Sequence, residues 1–405
     1  MLLAVYILFG FAQASGEYRV LFLQSQGLNA TQCGYVLAGA SLLAAFARPL
    51  TGALADKLRS RRVVFLGSVT GWMTLLVLLL AVGQVRLASL SLCVGIIPFL
   101  SVGEQVTYGM IEAAGVTAAL RHKRLDFSLI RVCLSMGYCG INFLYTPLVE
   151  RFGPLAPFAC TVVYLAALLL LSGSLRSFET LPGGGVNKAA PRKKLEIGRL
   201  FRNYYLVTFV LLFLLMSLGT QTSSFVYYLL DELELDTSLV GMAAGIRVLG
   251  EVLIMPLVPR LKRMLSLPML QAVAGTLCIL QMVLYLTCKN PYVILCVIML
   301  SGMASGITLS TTAVYLRLMA PEGLDTTTLS LSTAVSSLSQ VIVSLVGGRV
   351  VDSLGIFALY RIVLSCLCLW IVLYFSSWAF GKYGLKKTPP VPMFQSKAPR
   401  DCAVS

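Results

Sequence analysis

The sequence is poor in charged residues and contains a single histidine. Only 12% of its 405 residues are charged and 58% are hydrophobic, whereas a soluble domain is about 25% charged. It also has no phosphate-cradling glycine loop, no residues at metal-ligand spacing and no nucleophile accompanied by a base. We therefore expect neither an enzyme nor a protein driven by ATP, and we predict no cofactor or metal.

Long apolar segments occupy almost the whole chain. About twelve of them reach the ~18 to 25 residues that a helix needs to cross a membrane. The sequence therefore predicts an all-α membrane protein with twelve transmembrane helices, called spans 1 to 12 below. Their predicted bounds are 2–23, 32–55, 63–82, 87–118, 127–149, 154–174, 204–230, 239–259, 267–286, 292–318, 327–350 and 356–380.

The net charge of +15 is distributed unevenly among the loops. Lysine and arginine gather in alternate loops, as in "DKLRSRR" (56–62), "RHKRLD" (121–126) and "PRLKRM" (259–264), whereas "DELELD" (231–236) is acidic. Cytoplasmic loops of membrane proteins carry this excess of positive charge. The pattern predicts a multi-pass protein of the cell membrane with both termini in the cytoplasm, and it argues against nucleic acid as a partner.

The chain contains an internal repeat. A shift of 207 positions places Gly34 on Gly241 and Pro49 on Pro256, and a shift of 202 places "VERFG" (149–153) on "VDSLG" (351–355). Such a repeat is typical of transporters built from two bundles, with the substrate site near the midplane between them. We predict six-helix bundles over 1–175 and 203–381, a cytoplasmic linker over 176–202 and a basic cytoplasmic tail over 382–405.

The stretch "GALADKLRSRR" (52–62) resembles the G-x-x-x-D-[RK]-x-G-R-[RK] signature of the major facilitator superfamily. Gly52, Asp56 and the basic cluster match, whereas Ser60 replaces the second glycine. The resemblance implies a gate in which Gly52 allows close helix packing. Asp56, together with Arg61 and Arg62, would hold one conformation shut.

The stretch "RVCLSMGY" (131–138) is similar to a segment of the oligosaccharide, nucleoside and phenylpropionate proton-symporter branch, which is lactose permease-like. Arg131, Ser135, Gly137 and Tyr138 match its R-x-x-G-S-x-G-[YF] pattern, and Leu134 departs from it. The resemblance implies a solute-binding function for this part of span 5.

Two glutamates extend the resemblance. Glu112 on span 4 lies at nearly the spacing from Arg131 that the branch uses for its sugar-binding pair, and Glu251 on span 8 lies where the branch often has glutamate. Spans 9 and 10 depart from the branch, because they lack the buried arginine, histidine and glutamate used there for proton coupling. Proton coupling here would therefore depend on other residues.

Span 1 carries two charges two residues apart, Glu17 and Arg19. A charge in a membrane costs at least ~2.5 to 3.5 kcal/mol, so each needs a partner, a watery cavity or access to the interface. Glu17 shares a helix face with Gln13, whereas Arg19 lies about 200° away around the helix and cannot pair with Glu17 directly. We predict that Glu17 faces a central cavity and that Arg19 extends outward or pairs with another helix.

Polar residues form stripes on several other spans, and lipid does not solvate such a face. Either they line a cavity, or they are serine and threonine residues that join packed helices. We interpret the stripes on spans 1, 4, 5 and 7 as cavity lining and the stripe on span 11 as helix packing. The predicted solute-binding residues are Gln13, Glu17, Tyr108, Glu112, Arg131, Ser135, Tyr138, Asn142 and Gln221, and the predicted proton-coupling residues are Glu17, Glu104, Glu112 and Glu251.

Five further charges have simpler interpretations. Arg247 and Glu251 are four residues apart on span 8 and are expected to neutralise each other. Arg48 is interpreted as a topology or gate residue. Glu150 and Asp352, at equivalent positions in the two halves, are interpreted as packing or gate elements.

These observations favour a proton-coupled symporter that moves a small polar solute by alternating access. A glutamate in a low-dielectric cavity binds a proton more readily than one in water, which suits it to this coupling. The alternatives are a proton-antiport exporter of drugs or metabolites and a non-transporting sensor on a transporter scaffold. Sugars, nucleosides and organic acids all remain open as the solute. The expected partners are the solute, protons and the lipid bilayer, and the chain is expected to be a monomer.

Overall fold

A computed structural model describes residues 2–58, 60–82, 86–87, 90–121, 127–172, 203–288, 290–320 and 325–393. Within them the chain is almost entirely helical, because a backbone in lipid must satisfy its own hydrogen bonds. The helices of the first half are Leu2–Ala14 and Arg19–Ser25 (span 1), Ala30–Lys57 (span 2), Arg61–Val82 (span 3), Leu92–Arg121 (span 4), Phe127–Phe152 (span 5) and Ala156–Ser172 (span 6). A short antiparallel pair, Arg86–Leu87 with Leu90–Ser91, precedes span 4.

The second half repeats this order. Its helices are Tyr204–Gln221 and Val226–Glu232 (span 7), Val240–Ile254 and Val258–Met264 (span 8), Leu267–Thr287 (span 9), Pro291–Val297 and Met299–Met319 (span 10), Asp325–Leu354 (span 11) and Ile356–Ala379 (span 12). A π-helical turn, Phe380–Gly384, follows span 12. Among the described residues, ten helices are long and apolar enough to cross a membrane, and span 6 is a shorter apolar helix. With the divided span 1 these make twelve, so the predicted twelve-helix fold is confirmed.

The internal repeat extends to irregular details of the backbone. Span 1 is interrupted by the 3-10 turn Ser15–Tyr18, and span 7 by the 3-10 turn Thr222–Phe225, 207 positions later. Gly153 and Gly355, 202 positions apart, follow spans 5 and 11 with φ of 79° and 81°, a backbone conformation that favours glycine. The two halves therefore share local geometry as well as helix order.

Each half has its own cluster of buried apolar side chains. In the first half the fully buried Trp72 of span 3 packs beside Phe9 of span 1, with ring centroids 6.3 Å apart. In the second half Trp370 of span 12 stacks on Tyr374, with centroids 5.2 Å apart. Large apolar side chains are exposed around the outside, as expected for a surface that faces lipid. They include Phe46, Phe99, Leu144, Leu170, Leu211, Met264 and Val372.

The halves meet closely at one end, which we call the closed end, where spans 2 and 8 begin and spans 5 and 11 finish. Gly34 of span 2 lies against the carbonyl oxygen of Ser344 on span 11, and a Cβ at Gly34 would overlap that oxygen. Gly241 of span 8 lies against Asn142 of span 5, and a Cβ there would be 2.7 Å from the Asn142 carbonyl oxygen. The repeat relates these two contacts, so the closed end is an approximately two-fold interface.

Carboxylates reinforce the same interface. Asp352 accepts hydrogen bonds from the backbone N–H groups of Ala30 (2.9 Å) and Thr31 (2.6 Å) at the start of span 2. Glu150, its equivalent, accepts one from the hydroxyl of Ser238 at the start of span 8, at 3.3 Å. A carboxylate at a helix N-terminus satisfies unpaired N–H groups and interacts favourably with the helix dipole. Both residues thus join the halves, in line with the packing or gate function expected of them.

Several predicted features lie partly outside the described residues. The side chains of Gly52 and Asp56 are among those not described, as is the linker 176–202. Arg61 and Arg62 are half-buried at the start of span 3, and the gating function of this signature stays a prediction. The beginning of the predicted tail packs on the second half, where Ser266 donates to the Met393 carbonyl.

We predict that Gly34→Ala and Gly241→Ala each destabilise the closed end. Overpacking costs about 1 to 3 kcal/mol, so the equilibrium should shift roughly tenfold or more towards a conformation in which this end is open. The shift can be measured as a longer distance between spin labels at Asn29 and Glu232, which are exposed on opposite halves.

Gly39→Ala is the matched control, because a Cβ at Gly39 meets no atom within 4 Å. The interface account fails if all three variants give the distance distribution of the native protein.

Candidate functional site

A polar cavity of about 570 Å³ lies between the two halves. Spans 1, 2, 4 and 5 of the first half and spans 7, 8, 10 and 11 of the second half form its wall. The wall extends to Arg48, Arg131 and Thr333, which lie towards the helix ends opposite the closed end. We call this opposite side, where the linker joins the halves, the linker end.

Most of the predicted site residues lie in the cavity wall. They are Gln13, Glu17, Glu104, Tyr108, Arg131, Ser135, Tyr138, Gln221 and Glu251. Glu112 is not part of the wall, but it is hydrogen-bonded to two residues that are. Nearly all the predicted residues are therefore brought together around one cavity.

Glu17 joins three spans. Its Oε1 accepts a hydrogen bond from the hydroxyl of Tyr138 on span 5 and another from Nη2 of Arg247 on span 8, at 2.9 Å. The Arg247–Glu17 ion pair connects the two halves across the cavity. Glu17 therefore faces the cavity, as the shared face with Gln13 predicted, and the contact can break only if the halves move apart.

The expected pairing of Arg247 with Glu251 is not found. Although the two are four residues apart on span 8, Arg247 is paired with Glu17. The Oε1 atom of Glu251 accepts a hydrogen bond from the hydroxyl of Ser135 on span 5, at 3.3 Å, and Glu251 is only 9% exposed. In the described part of the chain, Glu251 forms no ion pair with an arginine.

Arg19 pairs with Glu104 of span 4. Glu104 is only 5% exposed, and a buried charge needs such a partner to be tolerated. This agrees with the expectation that Arg19 does not contact Glu17 and pairs with another helix. The pair holds span 1 to span 4 inside the first half.

Arg131 and Glu112 form an ion pair near the linker end, with Nη1 and Oε1 2.6 Å apart. The hydroxyl of Tyr108, one turn before Glu112, donates to the same oxygen at 2.8 Å. Arg131 lies four residues after the start of span 5 and lines the cavity. The two residues singled out by the resemblance are thus in direct contact, with the arginine facing the cavity.

Asn142 lies away from the cavity wall. It is fully buried, and its Nδ2 donates to the Tyr138 carbonyl of its own helix at 2.8 Å. Its carbonyl packs against Gly241 at the closed end. The stripe on span 5 predicted a solute contact, but the helix turns this position towards the other half, so we do not keep Asn142 as a candidate.

The stripe on span 11 was interpreted as helix packing, which is only partly correct. Thr333, Ser337 and Gln340 line the cavity, whereas Ser344 is fully buried against Gly34. A helix that closes one end of a cavity packs with its nearer half and lines the cavity with its farther half. The sequence pattern is continuous across both parts and does not separate them.

The sequence analysis also missed Arg48 and Arg247 as cavity residues. Arg48 lines the cavity, bonds to Gln105 through Nη2 and lies with its Cζ 5.8 Å from the ring centroid of Tyr108. Its position nine residues before the end of span 2 was a usable signal, since it is more than two helical turns inside the span. Among the described residues, no group of histidine, cysteine, aspartate and glutamate could hold a metal ion.

Solved structures of transporters share this fold. A variant of the nucleoside transporter NupG is 18% identical with a TM-score of 0.75, and the alignment covers 93% of this chain and 98% of that one. The D-xylose-proton symporter is 15% identical with a TM-score of 0.67, covering 94% and 96%. The peptide transporter POT in complex with alafosfalin is 11% identical with a TM-score of 0.69, covering 93% and 94%.

Sequence comparison gives the family. No curated protein matches the sequence. A family model described as the MFS_1 like family matches residues 1–362, which include all the cavity residues named above. The chain therefore belongs to the MFS_1 like family and is a multi-pass membrane transporter of the major facilitator superfamily.

Proposed function

We propose that this protein is a proton-coupled symporter that moves a small polar solute by alternating access, with Glu251 as the proton carrier. The observation that carries the proposal is the charge pattern of the cavity. Of the four candidate glutamates, Glu17, Glu104 and Glu112 each pair with an arginine, and Glu251 does not among the described residues.

Protonation of a paired glutamate would leave its arginine uncompensated in a region of low dielectric, which is costly. Glu251 avoids that cost, because its hydrogen-bond partner is the neutral hydroxyl of Ser135. The charged groups that act on it are Arg247, one turn earlier on its own helix, and Arg131 on span 5. Since span 8 belongs to the second half and Ser135 to the first, protonation of Glu251 would alter a contact between the halves.

The conformation fits one state of an alternating-access cycle. The distribution of lysine and arginine predicts that the linker end faces the cytoplasm, so a cavity closed at the other end is inward-facing. For solute to enter from outside, the closed end must open, and the Arg247–Glu17 pair and the glycine contacts must separate. The names of two structural neighbours, a nucleoside transporter and a D-xylose-proton symporter, support transport of a polar solute and coupling to protons.

We expect Glu251→Gln to abolish proton-driven uptake while leaving exchange intact. Glutamine keeps the shape and a hydrogen bond to Ser135 but cannot release a proton. The test uses proteoliposomes that contain a pH-sensitive dye and a panel of sugars, nucleosides and organic acids. In the native protein the transported solute should acidify the interior, whereas the variant should exchange labelled for unlabelled solute without moving protons.

Glu232→Gln is the control, since Glu232 is exposed at the closed end and should leave coupling unchanged. Proton movement opposite to solute would instead favour the antiport exporter. A native protein that moves neither solute nor proton would favour the non-transporting sensor. Coupled uptake that persists in Glu251→Gln would show that the proton is carried elsewhere.

We further propose that Arg131 and Glu112 bind the solute as one unit. Arg131→Lys keeps the charge but loses the planar fork that holds two oxygens at once, so it should reduce uptake by roughly tenfold or more. Glu112→Gln removes the acceptor of both Arg131 and Tyr108 and should have a similar effect.

Both variants should remain folded and monodisperse by size-exclusion chromatography. Arg151→Lys, at an exposed position after the closed end of span 5, serves as the matched control. If both cavity variants transport with native affinity, the pair is structural only.

A further inference from the structure

The charges of the cavity balance in a way that singles out one arginine. The wall and its contacts contain four arginines, and three of them, Arg19, Arg131 and Arg247, each pair with a glutamate. The fourth, Arg48, bonds to the neutral side-chain oxygen of Gln105. Within the described part of the chain, Arg48 has no carboxylate partner.

A neutral amide orients Arg48 without neutralising it. Its guanidinium carries five N–H donors in a planar fork, and the bond to Gln105 uses Nη2. The aromatic face of Tyr108, 5.8 Å from Cζ, supports the cation from another direction. The group is therefore held in the wall with its positive charge still available to a ligand.

Arg48 is also close to the proposed solute-binding unit. Tyr108, which it overlies, donates to Glu112 at 2.8 Å, and Glu112 accepts from Arg131 at 2.6 Å. Arg48 and Arg131 both line the cavity. A solute held by Arg131 and Glu112 would thus lie beside the uncompensated guanidinium.

We propose that the transported solute is an organic anion whose carboxylate or phosphate group binds Arg48. The inference rests on the proposed symport and names the chemical class of its solute. A guanidinium suits this ligand because its fork matches the two oxygens of a carboxylate or phosphate.

The charge balance over the cycle supports an anion over a neutral solute. With Glu251 deprotonated, the four arginines are matched by four glutamates, Glu17, Glu104, Glu112 and Glu251, so the empty cavity is neutral. Protonation of Glu251 leaves one positive charge in excess, and a monoanion at Arg48 restores neutrality. The empty and the fully loaded cavity would then both be uncharged, which minimises the cost of reorienting charge in a membrane. A neutral solute with a proton would leave the loaded cavity positive.

The test compares ligands that differ only in charge. The purified full-length protein is titrated at pH 7 with D-glucuronate, its neutral amide glucuronamide, D-glucose 6-phosphate and D-glucose, and with lactate and its neutral amide. The melting temperature reports binding. At least one anion should stabilise the native protein, while its neutral counterpart should not. Glucuronate and glucose 6-phosphate separate a carboxylate ligand from a phosphate ligand.

Variants assign the effect to Arg48. Arg48→Gln should lose the stabilisation by the anion, and Arg48→Lys should weaken the apparent affinity by roughly tenfold, since it keeps the charge without the fork. Arg151→Gln, at an exposed position outside the cavity, should bind as the native protein does. Each variant is first checked for an unchanged melting temperature without ligand. If Arg48→Gln is itself unstable, the Lys variant alone decides.

Three results would overturn the proposal: no stabilisation by any of the anions, equal stabilisation by the neutral amides, or unchanged anion binding in the Arg48 variants. The proposed symport fails separately, through the proton-flux assay. A native protein that carries a neutral solute with a proton would retain the symport and reject the anion. A native protein that binds anions at Arg48 but moves no proton would do the reverse.

Discussion

The cost of a charge in a low-dielectric region determines how this transporter is organised. Each arginine or glutamate within the spans costs at least about 2.5 kcal/mol unless a partner or water compensates it. Three arginine–glutamate pairs meet that requirement, and they also connect the helices: Arg19–Glu104 and Arg131–Glu112 inside the first half, and Arg247–Glu17 between the halves. Glu251 and Arg48 are left without such partners among the described residues, which is why we propose them as the proton carrier and the anion site.

A second constraint is that the halves must be able to separate. At the closed end they are held by short contacts that the internal repeat supplies twice, Gly34 against Ser344 and Gly241 against Asn142, each accompanied by a carboxylate at the start of a helix. Such contacts depend on close fit more than on a large apolar core. Each half buries its own core around its own tryptophan, so movement of one half against the other would leave both cores intact.

The helices and the repeat could be predicted because both depend on local sequence. Apolar length placed spans 1 and 12 at 2–23 and 356–380, and the structure places them at 2–25 and Ile356–Ala379. Partners across the fold could not be predicted in this way. The spacing of Arg247 and Glu251 allowed a local pair, but the partner of Arg247 is Glu17, 230 positions away. Likewise the stripe containing Asn142 gave its helix face but not which neighbour covers it.

The central claim is that one proton and one solute share the cavity between the halves. The most direct measurement is a simultaneous record of internal pH and labelled solute in proteoliposomes held at defined membrane potentials. The account predicts one proton for each solute molecule and, for a monoanion, an uptake rate that does not follow the membrane potential. Solute entry without acidification, or a rate that rises and falls with the potential, would contradict it.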